Sequence, residues 1–236
     1  MNVKRIPFLS AVMLMMALLP CSARSQDAHV MEGIAPWAKE AVLSLQNLFI
    51  PGRTALFLPD ARGKYHGKKS VTRWQLLYVV AGLIDTDPFK SPHPDTTMKG
   101  LLAAFAPSTL APPSNDSPKD VPQDVWSYAW PLQQKAGLLQ GDSDGWFRGK
   151  ERLTRGQLAV VVARLLLRLE KKPPIALERA QFRDVAGDEW WAGDAWIMAG
   201  IGLMQGYADH TFRGSQPVTR DELAVTLARL WHLVTQ

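Results

Sequence analysis

The sequence predicts an all-α chain built from three helix–loop–helix repeats. Three observations carry that expectation. The hexapeptide VTRWQL at Val71–Leu76 returns as LTRGQL at Leu153–Leu158 and as VTRDEL at Val218–Leu223, and a signature recurring along a chain marks a repeat protein. Between the last two copies the register holds position by position. Trp126, Gly137, Gly141, Phe147, Gly149, Thr154 and Arg155 stand at the same intervals as Trp191, Gly202, Gly206, Phe212, Gly214, Thr219 and Arg220. Finally, every copy opens a segment with helical apolar spacing.

The first copy is looser. Counting back from Arg73 finds Gly67 and Tyr65 at the expected distances, and counting forward from Trp37 finds Gly52. The stretch from Gly52 to Arg73 is then seven residues longer than its counterparts. The units are placed at 34–84, 118–170 and 182–236. A Pro-rich linker at 85–117, with a short helix expected around Thr96–Ala106, and a second linker at 171–181 separate them.

Within a unit the order is constant. A Trp-led helix comes first, starting at Trp37, Trp126 or Trp191; Pro131 should kink or delay the second of these. A Gly/Asp-rich loop follows, GDSDGWFRG at Gly141–Gly149 and GYADHTFRG at Gly206–Gly214. A second helix then opens at Thr, over Thr72–Leu83, Thr154–Leu169 and Thr219–Val234. These second helices are so apolar that a shared centre is their expected place. Thr72 with Gln75, Thr154 with Gln157, and Thr219 with Glu222 have the spacing of capping boxes, in which hydroxyl and later side chain satisfy otherwise orphaned amides. Loss of such a cap costs about 1 kcal/mol.

Residues 1–25 read as a secretory signal. Lys4 and Arg5 precede an apolar run over Ile6–Leu19, and small and polar residues follow, with cleavage after Ala23 or Ser25. Cys21, the one cysteine, either leaves with that peptide or becomes a lipidated terminus; Leu18-Leu19-Pro20 before it argues against lipidation. The formal charge of +5 belongs largely to the leader. Without Lys4, Arg5 and Arg24 the chain has 24 basic and 22 acidic residues, a net +2. That balance offers neither a nucleic-acid footprint nor a polybasic membrane patch. The roughly 210 remaining residues suffice for one sizeable core.

The informative residues are Arg73, Arg155 and Arg220, each following a capping Thr. At the first helical position the dipole disfavours a cation by about 0.3–1 kcal/mol, so Arg there answers some other demand. One reading is a salt bridge to a neighbouring unit, through Asp120, Asp184 or Asp188. The other is an anion site, in which free amides at the helix start and a guanidinium together receive a carboxylate. The residues leave both open. Trp37, Trp126 and Trp191, with Trp130, Trp190 and Trp196 nearby, serve either as core anchors or as faces for a sugar ring. Gly141, Gly145, Gly149, Gly206 and Gly214 permit left-handed backbone and close approach, and Asp144 and Asp209 turn the loops through their own side chains. GDSDG lacks the further carboxylates of a calcium loop. No catalytic residues, metal ligands or cofactor motif can be assembled from the histidines, carboxylates and loops, so no enzyme activity is expected.

The stretch Phe182–Leu230 resembles a repeat of the S-layer homology family: Phe-x-Asp-Val, a Trp-led helix, Gly-Ile, Gly-Tyr-x-Asp, then Thr-Arg. Asp120–Leu169 is similar, and Ala35–Leu83 is a divergent relative. The resemblance implies a pseudo-trimeric arrangement with a central bundle of second helices, and grooves between repeats that bind pyruvylated cell-wall polysaccharide. By the same implication Arg73, Arg155 and Arg220 meet the pyruvyl carboxylate. Trp37, Trp126, Trp191, Gly52, Gly141 and Gly206 are then the other groove candidates. Departures from the family pattern are Gln75 and Gln157 where the motif has Glu, kept only at Glu222. Trp74, Gly156 and Asp221 replace its Ala, and His210 stands at a loop Gly. The first loop, GRTALFLPDARGKYHG, keeps little of the pattern, so its groove should be altered or silent. The expected protein is secreted, associated with the cell wall or S-layer, and held there by glycan binding. The alternative is a degenerate scaffold of the same repeats that binds an envelope protein partner.

Overall fold

A computed structural model describes residues 32–48, 55–57, 59–84, 118–121, 130, 137–168 and 182–235. The leader, both linkers, the helix expected around Thr96–Ala106, Pro131, and the site candidates Trp126 and Gly52 lie outside these residues.

The described chain is helical. Helix α1 is Lys39–Leu48, entered through a single tight turn at Pro36–Ala38. Helix α2 is Arg73–Ile84, α3 is Arg155–Arg168, α4 is Ala192–Gly200, and α5 is Arg220–Thr235. A further short turn covers Ala55–Phe57. Thus the three second helices start at Arg73, Arg155 and Arg220, one residue after the capping Thr. Each capping box is formed. Thr72 N–H donates to Gln75 Oε1 at 2.9 Å, Thr154 N–H to Gln157 Oε1 at 3.1 Å, and Thr219 N–H to Glu222 Oε2 at 2.9 Å. The reciprocal bonds from the third amide to the Thr hydroxyl are 3.3, 3.3 and 3.2 Å.

The three starts meet in a closed ring. Val71 N–H donates to Val218 O, Val218 N–H to Leu153 O, and Leu153 N–H to Val71 O, each at 2.8 Å. Isolated antiparallel bridges Ser70–Thr219, Thr72–Arg152 and Thr154–Pro217 flank it. Each of the ring's three amides therefore finds a carbonyl supplied by another unit, which satisfies polar backbone that would be costly to leave unpaired.

Packing follows the same cyclic order. Helix α4, from the third unit, packs on α3 of the second; α1, from the first, packs on α5 of the third. Leu76, Leu77, Val80, Leu158, Val162, Leu165, Leu223, Leu227 and Leu230 on the second helices join Val42, Leu45, Ala195 and Met198 of the first helices in one core. The second helices meet at their starts, and the bodies of α3 and α5 are covered by the first helices α4 and α1.

Candidate functional site

Each helix-start arginine reaches across to the loop of the next unit. Arg73 Nε donates to Phe147 O at 2.8 Å and its Nη2 to Gln140 O at 3.1 Å. Arg155 repeats this geometry with Phe212 O at 2.9 Å and Gln205 O at 3.0 Å. Arg220 points Nε to Leu56 O at 2.8 Å and Nη2 to the same carbonyl. All three side chains are buried, at 8%, 6% and 8% exposure, and each guanidinium lies over a ring: Phe147, Phe212 or Tyr65, at 4.7, 5.0 and 4.3 Å. Burial pulls the Arg73 and Arg220 guanidinium pKa values down, against the opposing pull of Asp142 and Glu151 on Arg73 and of Tyr65 and Asp221 on Arg220.

This geometry changes the partners in both sequence readings of the arginines. Each arginine crosses the interface to backbone carbonyls, and Arg155 also to a carboxylate of the neighbouring unit, Glu222 at 3.2 Å; Asp120, Asp184 and Asp188 are not these partners. Asp120 instead accepts from Phe147 N–H (2.7 Å) and Gly149 N–H (3.3 Å), and Asp184 from Phe212 N–H (2.8 Å) and Arg213 N–H (2.7 Å), stapling their own loops. Nor are the helix-start amides free. Arg73 and Trp74 N–H donate to Glu151 O and Gly149 O, Arg155 and Gly156 N–H to Gln216 O and Gly214 O, and Arg220 and Asp221 N–H to Lys69 O and Gly67 O. The third amide is taken by the Thr hydroxyl. Any anion here must be read by side chains.

The aromatic candidates part company. Trp191 is buried, stacked on Phe212 at 5.7 Å. It is wedged against Gly156 and Gly214, where an added Cβ would come within 2.6 and 2.2 Å of the indole, so its ring is packing material. Trp37 is 61% exposed and stands on the turn that packs on α5. Trp190, beside Trp191, is 65% exposed and borders a cleft. At the first interface Trp74 does what Trp191 does at the second: it lies over Gly149 and Phe147, 4.9 Å between rings. Gly156 is small because Trp191 arrives from the other side, and Asp221 takes that place at the third interface, against Gly67. Trp74, Gly156 and Asp221, at equivalent places in sequence, thus fill the three seams in three different ways.

The loop glycines have backbone and packing reasons. Of the five named, Gly145 alone has positive φ, 83°. Gly141 has Trp146 O 3.0 Å and Pro118 3.5 Å from a built Cβ, and Gly206 has Phe182 at 2.4 Å; both make room for a neighbour. Asp144 and Asp209 do turn their loops, accepting from Trp146 N–H at 3.1 Å and Thr211 N–H at 3.2 Å.

The first loop keeps far more of the pattern than its sequence shows. Asp60 N–H to Lys64 O (2.9 Å) matches Asp142 to Trp146 (2.7 Å) and Tyr207 to Thr211 (2.8 Å). His66, Arg148 and Arg213 share a positive φ of 58°, 54° and 59°, and Gly63, Gly145 and His210 another of 77°, 83° and 61°. What changes is the arginine's target: Arg220 grips Leu56 O where its counterparts grip Gln140 or Gln205 and Phe147 or Phe212.

A cleft of about 260 Å³ opens beside Arg73, lined also by Gln140, Gly141, Asp142, Gln157, Arg164 and Trp190. It joins three units: Arg73 from the first, the Gly141 loop and α3 from the second, Trp190 from the third. Sequence reasoning missed Arg164, Gln157 and Trp190 as neighbours of Arg73. The one available signal for Arg164 was its counterpart Arg229 at the same distance along α5. Both hold a loop carbonyl, Leu138 O at 3.0 Å and Leu203 O at 3.4 Å.

Beside Arg155 the matching positions are chemically different. Glu222 stands where Gln157 does and pairs with Arg155 Nη1 at 3.2 Å. Tyr207, in the place of Asp142, donates its hydroxyl to Glu222 Oε1 at 2.8 Å, and Arg155 and Arg213 cover its ring at 5.0 and 3.9 Å. Burial, then the Glu222 hydrogen bond, raises the Tyr207 pKa. Among the described residues no cluster of three His, Cys, Asp or Glu could hold a metal ion, and no helix is long and apolar enough to cross a membrane.

Residues 181–224 match the family model of the S-layer homology domain. That span runs from Phe182 through the third loop to Thr219-Arg220. The chain is similar to Cell surface glycoprotein 1 of Acetivibrio thermocellus, 32% identical over 111 residues, 47% of this chain and 4% of that protein. It is also similar to Surface layer protein of Brevibacillus choshinensis, 27% identical over 93 residues, 39% of this chain and 8% of that protein. The aligned segments thus span only a small part of these curated relatives. The S-layer homology domain assigned to 181–224 has its Thr-Arg helix start and its loop hydrogen bonds reproduced at 60–76 and 142–158.

Proposed function

We propose that this chain is a non-covalent anchor to the bacterial cell envelope. In this reading three S-layer homology repeats form one pseudo-trimeric domain, and a groove between repeats binds an acidic cell-wall polysaccharide, of which a pyruvylated glycan is the best chemical fit. Residues 1–25 act as the export signal, and the mature chain binds rather than catalyses. The observation that carries the reading is the domain match at 181–224 together with two further helix starts of the same construction. The closed hydrogen-bonded ring of Val71, Leu153 and Val218 supports the threefold arrangement.

The chemistry is consistent with a carboxylated sugar. The Arg73 cleft pairs a guanidinium, the group best suited to a planar carboxylate, with an exposed indole face at Trp190 and amide and carbonyl groups for hydroxyls. Such a combination of a few placed polar groups and an aromatic wall is what orients a small ligand. A second reading, that the repeats dock an envelope protein, draws on the exposed Trp146 and Leu167, which lie outside the cleft lining. The two part in cells. Surface retention of the chain that persists when candidate protein partners are deleted, and is lost when the polysaccharide's acidic substituent is removed genetically, is the expected result. Retention indifferent to the substituent would overturn the glycan reading.

A further inference from the structure

The three seams of the ring are joined differently. The chain runs from the first unit to the second and from the second to the third, so those two seams are also tethered covalently. The first and third units meet only through non-covalent contacts. Across their seam Val71 N–H donates to Val218 O, Arg220 N–H to Lys69 O, and Asp221 N–H to Gly67 O, and α1 packs on α5.

Two residues at this seam differ in kind from their counterparts. Where the seams between consecutive units are filled by indoles, Trp74 over Gly149 and Trp191 over Gly156, this one holds the carboxyl of Asp221 over Gly67. Asp221 is 2% exposed. Its Oδ2 accepts from Ala35 N–H at 3.1 Å, and its Oδ1 accepts no hydrogen bond among the described residues. A buried carboxylate oxygen without a donor is costly while charged, and protonation removes the charge. The charged groups acting on it are Arg220 and Glu222 of its own helix and Lys68 of the first loop. The turn Pro36–Ala38 brings no charged side chain, and Lys39 and Glu40 after it are exposed.

The other residue is His66. It shares its left-handed backbone with Arg148 and Arg213. Those arginines pair with Asp142 and Asp144 and with Asp209, whereas His66 Nε2 meets Asp60 Oδ2 at 2.8 Å. Arginine keeps its charge at any working pH; histidine as a residue type changes charge between about pH 5 and 8. Lys64 N–H and then His66 hold Asp60 at a pKa of about 2, so Asp60 stays charged through that range. The nearby Lys64 ammonium pairs with Glu32. His66 immediately precedes Gly67, whose carbonyl receives Asp221 N–H.

We infer that the seam between the first and third units is a clasp that acid tightens and rising pH loosens, opening the ring there while the other two seams stay shut. Both groups work in the same direction. Acid gives His66 the positive charge that Asp60 attracts, and it neutralises the buried carboxyl of Asp221. Burial raises the Asp221 pKa, so its contribution is fully present below the ordinary carboxylate range and is lost as pH rises through the raised value. Opening uncovers the face between α1 and α5 and leaves the units strung in order along the chain.

The test is amide hydrogen exchange of the purified chain, prepared without residues 1–25, read by NMR as protection factors from about pH 4 to about pH 8, a span covering the ordinary carboxylate and histidine ranges. Protection at Ala35, Val71, Arg220 and Asp221 should fall at least about tenfold over that span, the change carried by one unit of pKa difference between closed and open states. Arg73, Trp74, Arg155 and Gly156, whose amides cross the other two seams, should keep theirs. Asp221→Asn, which retains an acceptor for Ala35 N–H, should raise protection at the first–third seam at neutral pH and flatten the lower part of the profile. His66→Arg, which installs the residue of the other two loops, should flatten its upper part. A flat profile in the unaltered chain, or protection that rises with pH, would overturn the inference. So would a loss shared by all three seams, the sign of whole-domain unfolding, or a response left unchanged in both variants. Should Asp221→Asn fail to fold, the profiles of the unaltered chain and of His66→Arg still decide.

Discussion

Replacement of Arg155 by Met probes whether the helix-start arginines are structural clamps as well as binding groups. Arg155 is 6% exposed and satisfies two carbonyls of the adjacent unit at 2.9 and 3.0 Å, besides its pair with Glu222 at 3.2 Å. Hydrogen bonds to a charged group contribute about 1.5–3 kcal/mol each, and an acceptor left buried without a donor carries its full desolvation cost. Methionine returns apolar burial but no donor. Tyr207 and Thr219 still donate to Glu222, which limits the cost of its lost partner. The net loss should be about 3–5 kcal/mol, the range for breaking one side of a buried pair and a large part of the 5–15 kcal/mol that holds a typical domain. Glu222→Gln separates the terms. Gln75 and Gln157 cap the other two helices, so the glutamine amide in this variant keeps the cap but loses the Arg155 pair and the oxygen that accepts from Tyr207, at about 1.5–3 kcal/mol, while Arg155 keeps its two carbonyls. Urea denaturation followed by tryptophan fluorescence measures both. Arg155→Met within about 1 kcal/mol of the unaltered chain, against the range expected for a broken buried pair, would refute the clamp. Glu222→Gln as costly as Arg155→Met would mean the ion pair, not the carbonyls, holds the seam.

Further outcomes follow from single contacts. Gly149→Ala and Gly214→Ala push a Cβ to 1.8 Å from Trp74 and 2.2 Å from Trp191 and should each cost about 1–3 kcal/mol in denaturant melts. Gly193→Ala, which meets nothing within 4 Å inside α4, should gain up to about 1 kcal/mol. His210→Gly should raise stability by about 0.5 kcal/mol, because it relieves a left-handed side chain costing about 1–2 kcal/mol against glycine's extra unfolded-chain entropy of about 0.4–1 kcal/mol. The Thr211 hydroxyl and Arg213 hold Asp209 at a pKa of about 2. Its support of the loop is therefore present above the ordinary carboxylate range and lost as pH falls through about 2. Carboxyl NMR titration should show that low pKa, and Arg213→Ala should move it upward.

The helix starts were legible because their signal is local. A Thr, its partner three residues on and an apolar run specify a capped helix from a few neighbouring residues, and all three begin where that pattern places them. What the arginines grip was not legible, because the acceptors are backbone carbonyls 50 or more residues away, which have no sequence signature. Trp37 and Trp191 occupy matching sequence positions, yet one is exposed and the other buried. Their fate depends on the partner at the seam: Gly156 leaves space for Trp191, whereas at the next seam Asp221 already fills the place, accepting from Ala35 N–H at 3.1 Å. Burial raises the Asp221 pKa there. In the first loop sequence and backbone part company. Its side chains changed while the turn hydrogen bonds and the positive φ positions, which set its shape, stayed.

The most direct test of envelope anchoring through a carboxylated glycan is cosedimentation of the purified chain, prepared without residues 1–25, with isolated bacterial walls bearing pyruvylated polysaccharide, before and after mild acid removal of the pyruvyl groups. The account predicts saturable binding to the intact walls and its loss from the stripped ones. Equal binding to both would contradict it.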